Sequence, residues 1–220
     1  MREASRSACI AAEGHGPIVK DGYKFAAPFV VLGALALVLH WNWTGGLLVL
    51  LGAFVLYFFR DPERAIPADP AAVASPADGR VMEIVDEPLG ERPGRRISIF
   101  LAVWDVHVNR APLAGQIRRV EYRPGRFYAA MRSRASAENE QNVIYLSTAR
   151  GEIVFKQIAG WIARRVLCWK AEGDAVARGE RVGMIRFGSR VDIWLPPEAE
   201  ILVRPGEHVA GGSSILARFP

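Results

Sequence analysis

Gly173-Asp174-Ala175-Val176-Ala177-Arg178-Gly179-Glu180-Arg181-Val182 returns 33 residues later as Gly206-Glu207-His208-Val209-Ala210-Gly211-Gly212-Ser213-Ser214-Ile215. Each copy has a glycine, an acidic residue, a valine two positions on and a second glycine three further. Glycine supplies the backbone a tight turn needs and valine favours extended chain, so each copy reads as a turn feeding a short strand. The repeat also sorts two Gly-Ser pairs. Gly212-Ser213 occupies the place of Gly179-Glu180 and reads as an ordinary turn, whereas Gly188-Ser189, within Phe187-Gly188-Ser189-Arg190, lies on the connection between the copies.

Outward from the repeat the chain keeps the same character. Short β-prone runs, Arg80 to Val85, Arg96 to Val103, Ile117 to Tyr122, Asn142 to Ser147, Glu152 to Ile158 and Arg190 to Leu195, alternate with Pro/Gly turns at spacings typical of all-β domains. The G-[DE]-x-V-x-x-G unit is a turn-strand element familiar from lipoyl-like sandwiches. The expected fold is therefore mainly β, a lipoyl-like sandwich or barrel over residues 61–220, with little helix.

The N-terminal part differs. The 220 residues are 50% hydrophobic and carry a net charge of +5, and much of the hydrophobic excess sits in two charge-free runs, Phe25 to Leu39 and Leu47 to Phe59. A helical hairpin in a bilayer over residues 23–60 is the expectation, behind a loose polar tail over 1–22. Spanning ~30 Å of hydrocarbon takes about 20 helical residues, so full span and shallow re-entry both stay open. Lys20, Lys24, Arg60 and Arg64 flank the runs and the Trp41/Trp43 loop has no Lys or Arg, which orients both ends to the cytoplasm at the cell inner membrane. The first run begins late and no small-residue cleavage site follows it, so a cleavable signal peptide is not expected. Cys9 and Cys168 stand alone and fit neither a disulfide framework nor a zinc site. The positive charge suits an anionic surface such as phospholipid.

Gly188-Ser189 in this setting can cut itself. The Ser189 hydroxyl would attack the Gly188 carbonyl to form an ester, β-elimination would release the upstream chain, and hydrolysis of the resulting dehydroalanine would leave a pyruvoyl group; taken alone, a Gly-Ser pair is equally a common turn. Of the four histidines, His107 sits at a strand end before a turn. Asp105 lies two residues earlier, so on an extended chain the two share a face and the carboxylate holds the imidazole's charge and tautomer. A structural histidine is the alternative. Ser75-Pro76-Ala77-Asp78-Gly79 opens a strand as a turn. Six arginines between Arg118 and Arg134, interleaved with Tyr122, Phe127, Tyr128 and Met131, suit lipid phosphate, nucleic acid or solvent.

In order along the chain, Phe59-Arg60-Asp61-Pro62, Ser75-Pro76-Ala77-Asp78-Gly79, Asp105-Val106-His107-Val108-Asn109-Arg110, Glu138-Asn139-Glu140-Gln141-Asn142, Gln157-Ile158-Ala159-Gly160 with Ala163-Arg164-Arg165, and Phe187-Gly188-Ser189-Arg190 resemble the phosphatidylserine decarboxylases, in particular their short bacterial and archaeal subfamily. The resemblance implies a proenzyme cleaved between Gly188 and Ser189 into a β chain, 1–188, and an α chain, 189–220. It implies a pyruvoyl cofactor made from Ser189, with neither metal nor pyridoxal phosphate. The activity implied is conversion of phosphatidylserine to phosphatidylethanolamine and carbon dioxide, with His107 as proton donor and Asp78 at the family's aspartate position. Long bacterial members carry a second histidine where this chain has Arg110, and arginine cannot serve as a base at ordinary pH. The implied partners are phospholipid, the membrane and the two chains of one precursor; a homodimer stays open, and nucleic acid is not expected. An uncleaved lipoyl-like carrier or a lipid-binding scaffold is the alternative, Lys170 being the nearest candidate carrier lysine.

Overall fold

The computed structural model describes residues 16–90, 93–161, 165–186 and 188–220. Most of the expected tail, with Cys9 and His15, lies outside the described residues, as do Ala163, Arg164 and Phe187 of the motifs. The chain divides into two compact units, Glu13–Glu63 and a body of Arg64–Pro220.

The smaller unit is a pair of helices, α1 (Lys20–Val38) and α2 (Asn42–Phe58). Lys20 to Gly22, expected in the tail, are already helical, and the expected loop is shorter because Asn42 to Gly46 form the opening of α2. His40 ends α1 with φ 63°, a left-handed residue just past the cap whose N–H reaches the Leu37 carbonyl at 3.0 Å. The helices close on each other through small residues. A Cβ on Gly45 would stand 2.6 Å from Leu37 Cγ and one on Gly33 2.9 Å from Val49 Cγ2, so both positions must lack a side chain. Val31, Val38, Leu50 and Trp43 point outward and are exposed. Of the two, α1 is long and apolar enough to cross a membrane and α2 is shorter.

The body is mostly β. Its strands are β1 (Ala72–Ala74), β2 (Gly79–Asp86), β3 (Arg95–Leu101), β4 (Val108–Arg110), β5 (Gly115–Arg123), β6 (Gln141–Thr148), β7 (Gly151–Ile158), β8 (Arg165–Cys168), β9 (Ala175–Val176), β10 (Arg181–Arg186), β11 (Ser189–Leu195), β12 (Glu200–Ile201), β13 (His208–Val209) and β14 (Ile215–Arg218), with one helical turn, α3 (Ala135–Glu138). Five of the six expected runs are strand throughout, and the run from Arg96 is strand only to Leu101 because the chain turns at Ala102. They form most of an eight-stranded antiparallel sheet of order β13-β2-β3-β11-β7-β6-β5-β9, beside two three-stranded sheets, β1-β14-β12 and β4-β10-β8. Alternation along the central strands turns Ile97, Ile99 and Leu101 of β3, Ile153 and Phe155 of β7, and Val191, Ile193 and Leu195 of β11 into the core.

The two sequence copies adopt one conformation. Gly173 and Gly206 have φ of 94° and 91°, Gly179 and Gly212 have 75° and 79°, and the valines fall in β9 and β13. Each copy hooks onto a different strand by the same pair of bonds. Gly173 N–H reaches the Ile117 carbonyl while Ile117 N–H reaches Asp174, and Gly206 N–H reaches Val81 while Val81 N–H reaches Glu207, all at 2.8–2.9 Å. The duplication therefore extends to the partner strands: Ser75-Pro76-Ala77-Asp78-Gly79-Arg80-Val81 stands in the second copy where Ala111-Pro112-Leu113-Ala114-Gly115-Gln116-Ile117 stands in the first.

Candidate active site

Ser189 is the first residue of β11, the strand between β3 and β7, and lies opposite Leu101. It shares the inward face with Val191 and Ile193 and is fully buried. Its hydroxyl has no hydrogen-bond partner among the described residues. An unpaired buried hydroxyl carries a desolvation penalty, and such groups persist where chemistry needs them. Gly188 before it has φ 55°, a left-handed conformation that a residue with a Cβ adopts at a cost.

The carbonyl of Gly188 lies against Gly160. The β11–β7 register pairs Arg190 with Ile158, and its continuation sets Gly160 beside Gly188. A Cβ built on Gly160 would fall 2.0 Å from Gly188 O and 3.4 Å from Ala130 Cβ. The space beside the candidate scissile carbonyl thus depends on the absence of one side chain. Beyond its place in the Gln157–Gly160 motif, nothing in the sequence marks Gly160 for this role.

His107 is fully buried, and its carbonyl accepts the Ile185 N–H at 3.2 Å, which ties it to β10 three residues before Gly188. Its Nδ1 lies 2.9 Å from the Asp105 backbone carbonyl. A carbonyl can only accept, so Nδ1 carries the hydrogen of this bond and Nε2 is the basic nitrogen of the neutral ring. The expected pairing of His107 with the Asp105 carboxylate is not what forms. Residues 102–105 turn, closed by Asp105 N–H to Ala102 O at 2.8 Å, so the extended-chain alternation does not apply. The Asp105 carboxylate accepts the Ala102 N–H at 2.8 Å and pairs with His208 Nε2 at 3.0 Å. His208, from the second copy of the repeat, is thereby brought to the loop that carries His107.

Asp78 is buried beside β13. One arginine nitrogen, Arg64 Nη2, donates to both its oxygens at 2.9 and 2.7 Å, and the Gly211 N–H donates at 2.7 Å. Burial nonetheless holds its carboxyl above the ordinary range, against the pull of Arg64 and the Gly211 N–H, with the Asp105 charge adding to the rise. Arg110, at the family's second-histidine position, is buried and donates to the Gly179 carbonyl at 3.1 Å; it braces the first repeat's turn.

Two of the remaining motifs supply buried amide contacts in the body. Asn142, Gln157 and Asn109 make a buried amide chain across β6, β7 and β4, with Asn142 donating to Gln157 at 3.2 Å and Gln157 to Asn109 at 2.9 Å. Asn139 ties the segment over residues 124–140 to the site, donating to the Ala159 carbonyl at 2.7 Å and the Tyr128 carbonyl at 2.8 Å. Several of the six arginines have internal partners: Arg119 lies 4.1 Å over the Tyr145 ring, Arg134 4.0 Å over Tyr128, and Arg123 pairs with Glu121 at 3.0 Å. Lys170 is an ion-pair partner of Glu180 with little exposure, unlike a carrier lysine.

Fold and site together give a mostly β body with a candidate serine buried at the start of a central strand. A family model described as phosphatidylserine decarboxylase matches residues 51–217. The phosphatidylserine decarboxylase proenzyme of Symbiobacterium thermophilum is 46% identical over 208 residues, covering 92% of this chain and 96% of that protein. That of Solibacter usitatus is 49% identical over 201 residues, covering 91% and 96%, and that of Magnetococcus marinus 44% over 212 residues, covering 94% and 97%. This chain belongs to the phosphatidylserine decarboxylase family.

Proposed function

We propose that the chain is a phosphatidylserine decarboxylase proenzyme that cleaves itself between Gly188 and Ser189 and acts on phosphatidylserine in phospholipid biosynthesis. The observation that carries the cleavage site is the buried Ser189 hydroxyl, without a hydrogen-bond partner among the described residues, next to a left-handed glycine whose carbonyl faces a side-chain-free position. Ser189 Oγ adds to the Gly188 carbonyl carbon, the C–N bond breaks, and the acyl group passes to oxygen as an ester. Loss of the Ser189 Cα proton then expels the Gly188 carboxylate, and addition of water with loss of ammonia turns residue 189 into a pyruvoyl group at the head of the α chain. The site fits that group: the serine is already buried in the strand and Gly160 leaves room beside it.

When formed, the pyruvoyl group supplies a ketone that holds the substrate's amine and accepts the electrons released with carbon dioxide, without metal or pyridoxal phosphate. His107 is the proton-transfer residue, because its Nδ1–H bond to Asp105 O makes Nε2 the basic nitrogen of the neutral ring. Asp78 is the buried carboxylate of the processing step, with Arg64 and the Gly211 N–H fixing its orientation. The duplicated turn-strand units support a lipoyl-like body. Relatives of nearly the same length support the short subfamily. The apolar helix pair supports a membrane hairpin with the body on the cytoplasmic side of the inner membrane. The carrier reading is disfavoured by the ion-paired Lys170.

Denaturing mass spectrometry with a carbon dioxide assay tests this. Wild type should give two fragments, the smaller starting with a pyruvoyl group, and should release carbon dioxide from phosphatidylserine. Ser189→Ala should remain whole and inactive; decarboxylation by that uncut variant would refute the assignment.

A further inference from the structure

Arg190, the residue directly after the proposed cut, has the largest fully buried side chain among the described residues and is 1% exposed. Its Nε donates to Asp192 at 2.5 Å, and its Nη2 to Ser98 at 2.7 Å and to Glu83 at 3.0 Å. Asp192 is fully buried and also accepts the Ser136 hydroxyl at 2.5 Å. Arg96 extends the network to Glu83 at 2.8 Å and Glu87 at 2.7 Å. These groups come from β2 and the residue after it, from β3 and β11, and from α3 in the segment that covers them, on the sheet face opposite Ser189.

A buried ion network is a weak source of stability, because desolvation offsets most of its attraction and apolar replacements are often as stable. What a planar guanidinium fork with fixed partners supplies is position. Position matters here because of what cleavage removes. Residue 189 loses both its bond to Gly188 and its own nitrogen, which leaves as ammonia, so the strand begins with a group that has no backbone N–H. Chain termini fray unless tied down. The reacting ketone of such a terminus would be joined, through one carbonyl, to the Arg190 nitrogen.

We propose that this network is a clamp which holds the newly cut end of β11 in register, with Arg190 as a positioning residue for the group formed at 189. The proposal rests on the cleavage reading above. Before scission the connection from β10 restrains Ser189; afterwards the guanidinium does. Through Ser136 the same clamp holds down the segment whose Asn139 grips the Ala159 carbonyl, on the neighbouring strand.

The test compares full-length wild type, Arg190→Lys, which keeps charge but loses the fork, and Arg190→Met/Asp192→Leu, which replaces the pair by apolar volume. Each is examined cleaved, and also uncleaved in a Ser189→Ala background. Both variants should still be cut and should carry the pyruvoyl group by mass. In the cleaved forms only, amide hydrogen exchange at Val191 to Ile193 should quicken about tenfold or more. Their kcat on detergent-dispersed phosphatidylserine should drop about 10- to 100-fold with KM little changed. Wild-type exchange and kcat in the cleaved variants would overturn the clamp. So would equal quickening in the uncleaved background, which marks ordinary sheet reinforcement, or a folded variant that fails to cut, which assigns Arg190 to the cleavage step. If the double variant does not fold, Arg190→Lys decides alone. Wild type that never cuts refutes the cleavage reading instead.

Discussion

Gly160→Ala adds one methyl group, and its consequence can be worked out from the backbone. The new Cβ would lie 2.0 Å from Gly188 O, about 1.4 Å inside ordinary van der Waals contact. Neither neighbour yields easily. Gly160 directly follows Ala159, whose carbonyl Asn139 holds at 2.7 Å, and Gly188 directly precedes Ser189, the start of a strand paired on both sides. The displacement therefore falls on the Gly188 peptide, the group that Ser189 Oγ must attack. A misplacement of about 1 Å at a reacting centre is worth roughly 100-fold in rate. Processing of Gly160→Ala, followed on denaturing gels from a pulse of synthesis, should slow by about that factor. Circular dichroism should show the sheet intact, and Gly160→Ser should behave alike. Cleavage at the wild-type rate in a folded Gly160→Ala protein would show that the scissile carbonyl is not held against this position, and the argument for its placement would fail.

Two further outcomes follow from the buried charges. Burial chiefly raises the folded pKa of Asp78, so its stabilising contribution is present at acid pH and lost as the pH rises through that value. Asp78→Asn should thus slow processing by about 100-fold or more with a melting temperature at neutral pH unchanged or higher; a large fall in melting temperature would mean that the Arg64 pair outweighs the burial cost. Burial pushes the Glu83 carboxyl up, but the Arg96 hydrogen bond and the Arg96 and Arg190 charges outweigh it, and its folded pKa is lowered. The stability it contributes is present above the ordinary glutamate range and disappears as the pH falls through the depressed value. Calorimetry should accordingly find that Glu83→Gln melts lower than wild type at neutral pH and that the gap narrows in acid; parallel curves would contradict the linkage.

The strands that alternation makes legible are the long ones of the central sheet, because one face of each meets the core and the other does not. The shorter strands β1, β4, β8 and β12, at two to four residues, hold too few positions for a period to register, and their pairing is set by distant segments. The site shows the same division. Ser189 stands out as a candidate because the repeat disqualifies the competing Gly-Ser pair, and His107 because histidine is scarce. Asp105 was misassigned for a local reason: a two-residue spacing shares a face only in extended chain, and this chain turns at Ala102 to Asp105. Arg64 and Gly160 act through partners 14 and 28 residues away, Asp78 and Gly188, so nothing beside them in sequence announces the role.

One signal for His208 and Asp78 was present in the sequence. The 33-residue repeat has a second half, the match between Ser75–Val81 and Ala111–Ile117, and superposing the copies pairs Asp78 with Ala114 and His208 with Ala175. Where a duplicated unit serves only the fold, its two copies need the same things: turn glycines and core valines, which both retain. A buried carboxylate carries a desolvation cost that alanine at the same backbone position avoids, so the fold alone gives no reason for it. The copy that carries Asp78 and His208 hooks onto β2, which pairs with β3, whose end faces Ser189, while the alanine copy hooks onto β5 on the far side of the sheet. The two copies share a scaffold, and the departures from symmetry lie on the side that carries the proposed chemistry.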